Sequence, residues 1–89
     1  MSLWWLSFAD ASLQAGEQSL GVVIVEAADI VSAARAAWSL GCNPGGEVKG
    51  MRIDPACMAR LSFQLPTGVL IGPADARALA DRIAAELAS

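Results

Sequence analysis

The residues in this chain that could do chemistry are few. They are the carboxylates Asp10, Glu26, Asp29, Glu47 and Asp54 and the thiols Cys42 and Cys57; the chain has no histidine and no tyrosine. A carboxylate or thiol paired with a base would point to acid–base or nucleophilic catalysis, but without histidine the commonest general base and metal ligand is missing. Each carboxylate also has a structural role in the pattern around it. Asp29 and Asp54 stand where helix N-caps belong, Glu26 closes an apolar run and Glu47 opens one. Two cysteines fifteen residues apart, with no second pair and no imidazole, cannot supply the four ligands of a structural zinc site. Cys42 follows a predicted helix C-terminus, whereas an activated thiol prefers the N-terminal end. Cys57 falls near a predicted helix start without a partner base. The expectation is a protein that is not an enzyme, carries no metal or cofactor, and keeps both thiols reduced.

The densest stretch of backbone-shaping residues is Leu40-Gly41-Cys42-Asn43-Pro44-Gly45-Gly46-Glu47-Val48. Its glycines invite a phosphate-loop reading. Phosphate loops, however, lead from a strand into a helix N-terminus, and this one runs from helix to strand. A tight turn is the better account. The rival functional reading is a small-ligand or minor enzymatic site on Cys42, Asn43, Gly45, Gly46 and Glu47, with the glycine amides cradling an anion.

The elements that position these residues read as follows. Leu3 to Ala9 alternates as a strand, with Trp4, Leu6 and Phe8 on one face and Trp5, Ser7 and Ala9 on the other. A polar connection containing Gly16 runs from Asp10 to Ser19. Leu20 to Glu26 is the strongest strand, apolar on both sides, which predicts a central position covered on both faces. Asp29 caps a helix from Ile30 to Leu40, where Ile30, Ala33, Ala34, Ala37 and Leu40 form one stripe and Val31, Ala34 and Trp38 an adjoining one. Gly41 suits the left-handed C′ position. Glu47 to Ile53 is a third strand in which Gly50 marks a bulge or a close backbone approach. Asp54-Pro55 starts a short helix to about Leu61. Ser62 to Leu65 fits helix and strand equally. Val69 to Ile71 is a short strand, and Gly72-Pro73 opens a final helix with an apolar stripe through Ala76, Leu79, Ala80, Ile83 and Leu87. Its outer face offers the i, i+4 pairs Arg77–Asp81 and Arg82–Glu86. The expected fold is one α+β domain over residues 1–89. Its small, mainly antiparallel sheet is ordered β-β-α-β, then short helix, short strand and C-terminal helix, with the helices packed on one face.

Composition bears on partners. Hydrophobic residues make up 55% of the chain, above the usual ~45–50%, and so short a domain buries only about 60% of its unfolded surface. Leftover apolar surface needs a partner. The net charge of -3, from six cations against nine carboxylates with no cluster of either, argues against binding a nucleic-acid backbone and against DNA mimicry. No apolar run reaches the ~18 residues of a membrane span and no leader pattern opens the chain, so a cytoplasmic protein is expected. Three tryptophans remain. If the helices cover one sheet face, the other presents tryptophan beside β-branched residues; either the C-terminal segment folds over that patch or it is an interface, predicted as Trp4, Trp5, Val23, Val25 and Trp38.

Trp5-Leu6-Ser7-Phe8-Ala9-Asp10, Leu20-Gly21 with Val23-Ile24-Val25, and the turn from Leu40 to Val48 resemble small uncharacterised proteins of bacteria and their phages. The resemblance covers about the first fifty residues. It implies a cellular setting, a phage or mobile-element accessory protein, and brings no activity. The leading expectation is a non-catalytic binding or regulatory module acting through a protein interface, with a protein partner or as a homodimer.

Overall fold

A computed structural model describes residues 1–14 and 17–88; Gly16 of the first connection lies outside the described residues. The elements are β1 (Ser2–Ala9), β2 (Ser19–Ala27), α1 (Ile30–Ser39), β3 (Glu47–Ile53), α2 (Pro55–Ala59), β4 (Leu70–Ile71) and α3 (Pro73–Ala88). The strands form one sheet in the order β3-β1-β2-β4, antiparallel throughout. The α+β class and the element order are those expected from the sequence.

The alternation of β1 sorts its side chains as the period of two requires. Leu6 and Phe8 join Val23, Val25 and Ala27 of β2 in a cluster closed by Ala33 and Ala37 of α1, with Trp4 packed against it. On the opposite face Val22 and Ile24 meet Ile71 and Ala76, with Leu3, Trp5, Ile53 and Leu79 alongside. Helices therefore cover both faces, α1 on one and α3 on the other, which corrects the expectation of helices on a single face. The reason lies in β2. Val22 to Val25 are all buried, and a strand apolar on both sides can be satisfied only by a layer on each.

The helix boundaries follow from their caps. The Asp29 carboxylate accepts the Ser32 N–H at 2.8 Å, and Asp54 accepts the Ala56 N–H at 2.9 Å ahead of Pro55. At the other end of α1, Gly41 adopts φ 72°, and the Cys42 N–H donates to the Ala37 carbonyl at 2.9 Å while Gly41 donates to Trp38 at 3.0 Å. This pairing is the Schellman closure that a left-handed C′ residue permits. α2 is shorter than expected, ending at Ala59. Residues 62–65 are neither helix nor strand. Their contacts explain this: both Ser62 N–H and Ser62 Oγ donate to the Glu86 carboxylate, the Arg82 guanidinium lies 3.8 Å over the Phe63 ring, and Leu65 packs into the second cluster. The segment is shaped by α3 rather than by its own periodicity. No bulge interrupts β3 against β1, so Gly50 is a close approach, with Ile30 of α1 above it. No helix among the described residues is long and apolar enough to cross a membrane.

Candidate functional site

The glycine-rich turn is occupied with its own architecture. Cys42 Sγ lies 3.2 Å from the Gly68 carbonyl and 3.6 Å from that of Leu40. Asn43 Oδ1 accepts the Gly45 N–H at 2.8 Å. Gly46, at φ 72°, passes so close to the Ala9 carbonyl that a Cβ would have no room, and Glu47 then enters β3 opposite Ala9. The residues proposed from sequence as a ligand loop thus serve to lay β3 beside β1.

The carboxylates are dispersed in the same way. Asp10 accepts from Ser12 N–H at 2.9 Å and Ser12 Oγ at 2.6 Å, and these bonds hold its carboxyl below the usual range. The hydrogen bonds from Ser32 do the same for Asp29, with the Arg35 charge adding a smaller effect. Each bond favours the ionised form, and each belongs to a turn or a cap. Cys42 packs behind α1 and Cys57 on the opposite face beside Trp5, Met51 and Ile53. Both are free thiols, and the sheet stands between them. No group of three or more metal-ligating side chains converges among the described residues.

What the surface offers instead is apolar. Val31, Ala34 and Trp38 recur at i, i+3 and i+7 on the side of α1 that overlooks β3, with Val31 61% and Trp38 72% exposed. With Ile30 and Val48 they line a shallow groove of about 450 Å³ whose polar members are Arg35 and Asn43. A second groove of about 480 Å³ opens on the other face, between Trp5, Met51 and Ile53 of the sheet and Ile83 and Leu87 of α3. α3 rests on β2, so the β1–β3 half of that face lies at the groove floor. β3 borders both grooves, through Val48 on one face and Met51 on the other, and no strand pairs with its outer side among the described residues.

The predicted interface residues divide accordingly. Trp38 is the most exposed of the three tryptophans and sits in the first groove. Trp5 lines the second. Trp4 is half-buried, its Nε1–H donating to the Ala27 carbonyl at 3.1 Å. Val23 and Val25 are core residues under α1, which removes them as contact residues: the face they were expected to expose is the one α1 covers. Ile30, Val31, Val48 and Met51 are the residues that sequence reasoning missed. The signal for the first two was present, since α1 carries two adjoining apolar stripes and a helix lying on one small sheet can bury only one.

Comparison with known protein families, curated proteins and solved structures found no match, so function is read from the geometry.

Proposed function

We propose that this protein is a non-catalytic binding module that works through protein–protein contact at the surface built by α1 and β3. The observation that carries the reading is Trp38. A tryptophan left 72% exposed, at the end of an apolar helical stripe and beside an unpaired strand, is the composition of an interface centre rather than of a solvated face. Cys42, Asp10, Asp29 and Asp54 support the non-catalytic part, since each is engaged in a turn or a cap, and Cys57 lies on the other face of the sheet from Cys42.

The test is photo-crosslinking in cells. A benzophenone amino acid replacing Val31 is expected to give a covalent protein adduct that disappears when Trp38→Asp is added. The same group replacing Asp81, on the outer side of α3, is the control. Equal labelling from both positions, or an adduct indifferent to Trp38→Asp, would overturn the reading. Trp38 is too exposed for this substitution to unfold the protomer, which circular dichroism checks.

A further inference from the structure

We infer that the partner of this surface is a second copy of the chain, joined through β3 to β3 in an antiparallel register centred on Gly50, so that two four-stranded sheets become one continuous sheet. The inference rests on the interface reading above and specifies its occupant.

The register follows from the hydrogen bonds already in the sheet. On the β4 side of β2, the Ile24 carbonyl accepts the Gly68 N–H at 2.8 Å, so Ile24 turns its backbone groups away from β1. Bonded and non-bonded pairs alternate along an antiparallel ladder. Trp5, opposite Ile24, therefore directs its N–H and C=O toward β3, where it meets Met51. Carried along the strand, the alternation gives Glu47, Lys49, Met51 and Ile53 to β1. Val48, Gly50 and Arg52 are left pointing their N–H and C=O groups outward.

Those three positions are symmetric about Gly50. A two-fold axis normal to the sheet and midway between the two copies of Gly50 sets Gly50 against its own copy and Val48 against Arg52 in both directions. Every outward group is then paired, giving about six new backbone hydrogen bonds. The side chains agree with this register. Lys49 falls opposite Met51 and Glu47 opposite Ile53, so no like charges stand directly opposed. Moving the axis to Lys49 loses one bonded pair and sets that ammonium against its copy. Arg52 does not obstruct the edge, because its Nε–H donates to Ser2 Oγ at 3.0 Å, back across the sheet.

The surroundings point to the same occupant. The axis brings each face of the sheet beside the same face of the second copy. The groove of Val31 and Trp38 thus continues into its counterpart, and the Met51 groove does likewise on the other side. A partner laid on one face would cover only one of them. The opposite edge of the sheet offers no such site, since β4 has two residues and the Gly68 N–H already fills the next position on β2. Exposed edges of this length are usually shortened, bulged, charged or covered; the charges of β3, Glu47, Lys49 and Arg52, fall opposite Ile53, Met51 and Val48 in this register and so do not oppose it. Here β3 runs seven residues without a bulge or a proline.

The experiment uses the full chain in sedimentation velocity across a dilution series, with circular dichroism on each variant. The wild type is expected to sediment at twice the 9.2 kDa protomer mass. Met51→Lys, at a position 61% exposed in the protomer, puts two lysines directly opposite each other on both sides of the axis; it is expected to raise the dimer Kd about tenfold or more. Adding Lys49→Glu pairs opposite charges in this register and is expected to restore the dimer, which a general loss of apolar surface would not allow. Amide exchange by NMR gives a second reading: the Val48, Gly50 and Arg52 N–H groups gain protection with concentration, while those of Lys49 and Met51 are protected throughout. A wild type that stays a protomer at every concentration, or a dimer unaffected by Met51→Lys, overturns the inference. If the crosslinker at Val31 still captures a different protein in that case, the interface reading stands without the dimer; if it captures nothing, both fall.

Discussion

Gly50→Ala is a substitution whose sign should reverse with one neighbour. A Cβ at Gly50 would stand 2.7 Å from Ile30 Cγ1, closer still to Ile30 Cδ1, and 3.3 Å from Leu6 Cδ2. The 3.3 Å approach asks the fully buried Leu6 to give by only a few tenths of an ångström, whereas Ile30, 39% exposed, must move aside altogether. Swinging Ile30 into solvent forfeits its buried share, roughly three-fifths of the ~1.5–3 kcal/mol that full burial of such a side chain is worth, or about 1–2 kcal/mol. Alanine is favoured over glycine in a strand interior by about 0.5–1 kcal/mol. The net expectation is a destabilisation of about 0.5–1 kcal/mol in the wild-type background. With Ile30→Ala in place the two severe contacts are gone and the vacated space lets Leu6 yield its few tenths of an ångström, so the same change should stabilise by about 0.5–1 kcal/mol. The coupling between the two sites is then about 1–2 kcal/mol, well outside the ~0.3–0.5 kcal/mol scatter of independent sites. Urea unfolding followed by tryptophan fluorescence measures it, at a protein concentration where dilution no longer moves the midpoint, so that association does not contribute. An equal effect of Gly50→Ala in both backgrounds would refute the reasoning, because it would mean that Ile30 does not lean on β3.

Two other predictions concern single bonds. Trp4→Phe keeps most of the ring in the first cluster but removes the Nε1–H donor to the Ala27 carbonyl, and should cost about 1 kcal/mol in the same unfolding assay. Asp29 has its folded-state carboxyl held below the usual range by the Ser32 hydrogen bonds. Its cap therefore contributes stability that is present above the ordinary carboxylate value and lost as the pH falls through the lowered one. Asp29→Asn retains a capping oxygen without the titration, so the melting temperature of that variant should decline less steeply than that of wild type on the acid side. Asp10 shifts in the same direction and should leave a residual slope in both.

Much of the frame could be read from the sequence because it rests on local rules. Strand alternation separated Trp4, Leu6 and Phe8 from Trp5, and the four successive β-branched residues Val22 to Val25 marked a strand buried on both sides. Asp29, Asp54 and Gly41 placed the helix ends to within a residue, since caps depend on neighbours a few positions away. Where a long-range contact decided the outcome, the sequence was silent or misleading. Ser62 to Leu65 take their path from Glu86, Arg82 and the second cluster, all contributed by residues far along the chain. The placement of α3 opposite α1 follows from the burial of β2 on both faces that the sequence made visible, and it conflicts with the single helix layer expected for the fold as a whole. Val23 and Val25 count as exposed only if one face is bare, which α1 prevents, while the free edge of β3 depends on strand order, which no local pattern encodes.

The sheet divides the interior into two small cores on opposite faces, one closed by α1 and the other by α3. Stability in such a layered molecule need not be lost all at once, because a layer can open without the other as a sub-global unit. α3 is joined to the sheet through β2, whereas α1 also contacts β1 and β3, so the α3 layer is the one expected to open at lower free energy. The two cysteines lie one behind each layer, Cys42 under α1 and Cys57 beside α3. Both thiols are half-buried, so the rise in each one's alkylation rate with added denaturant would report the opening of its own side, with the Cys57 side responding first.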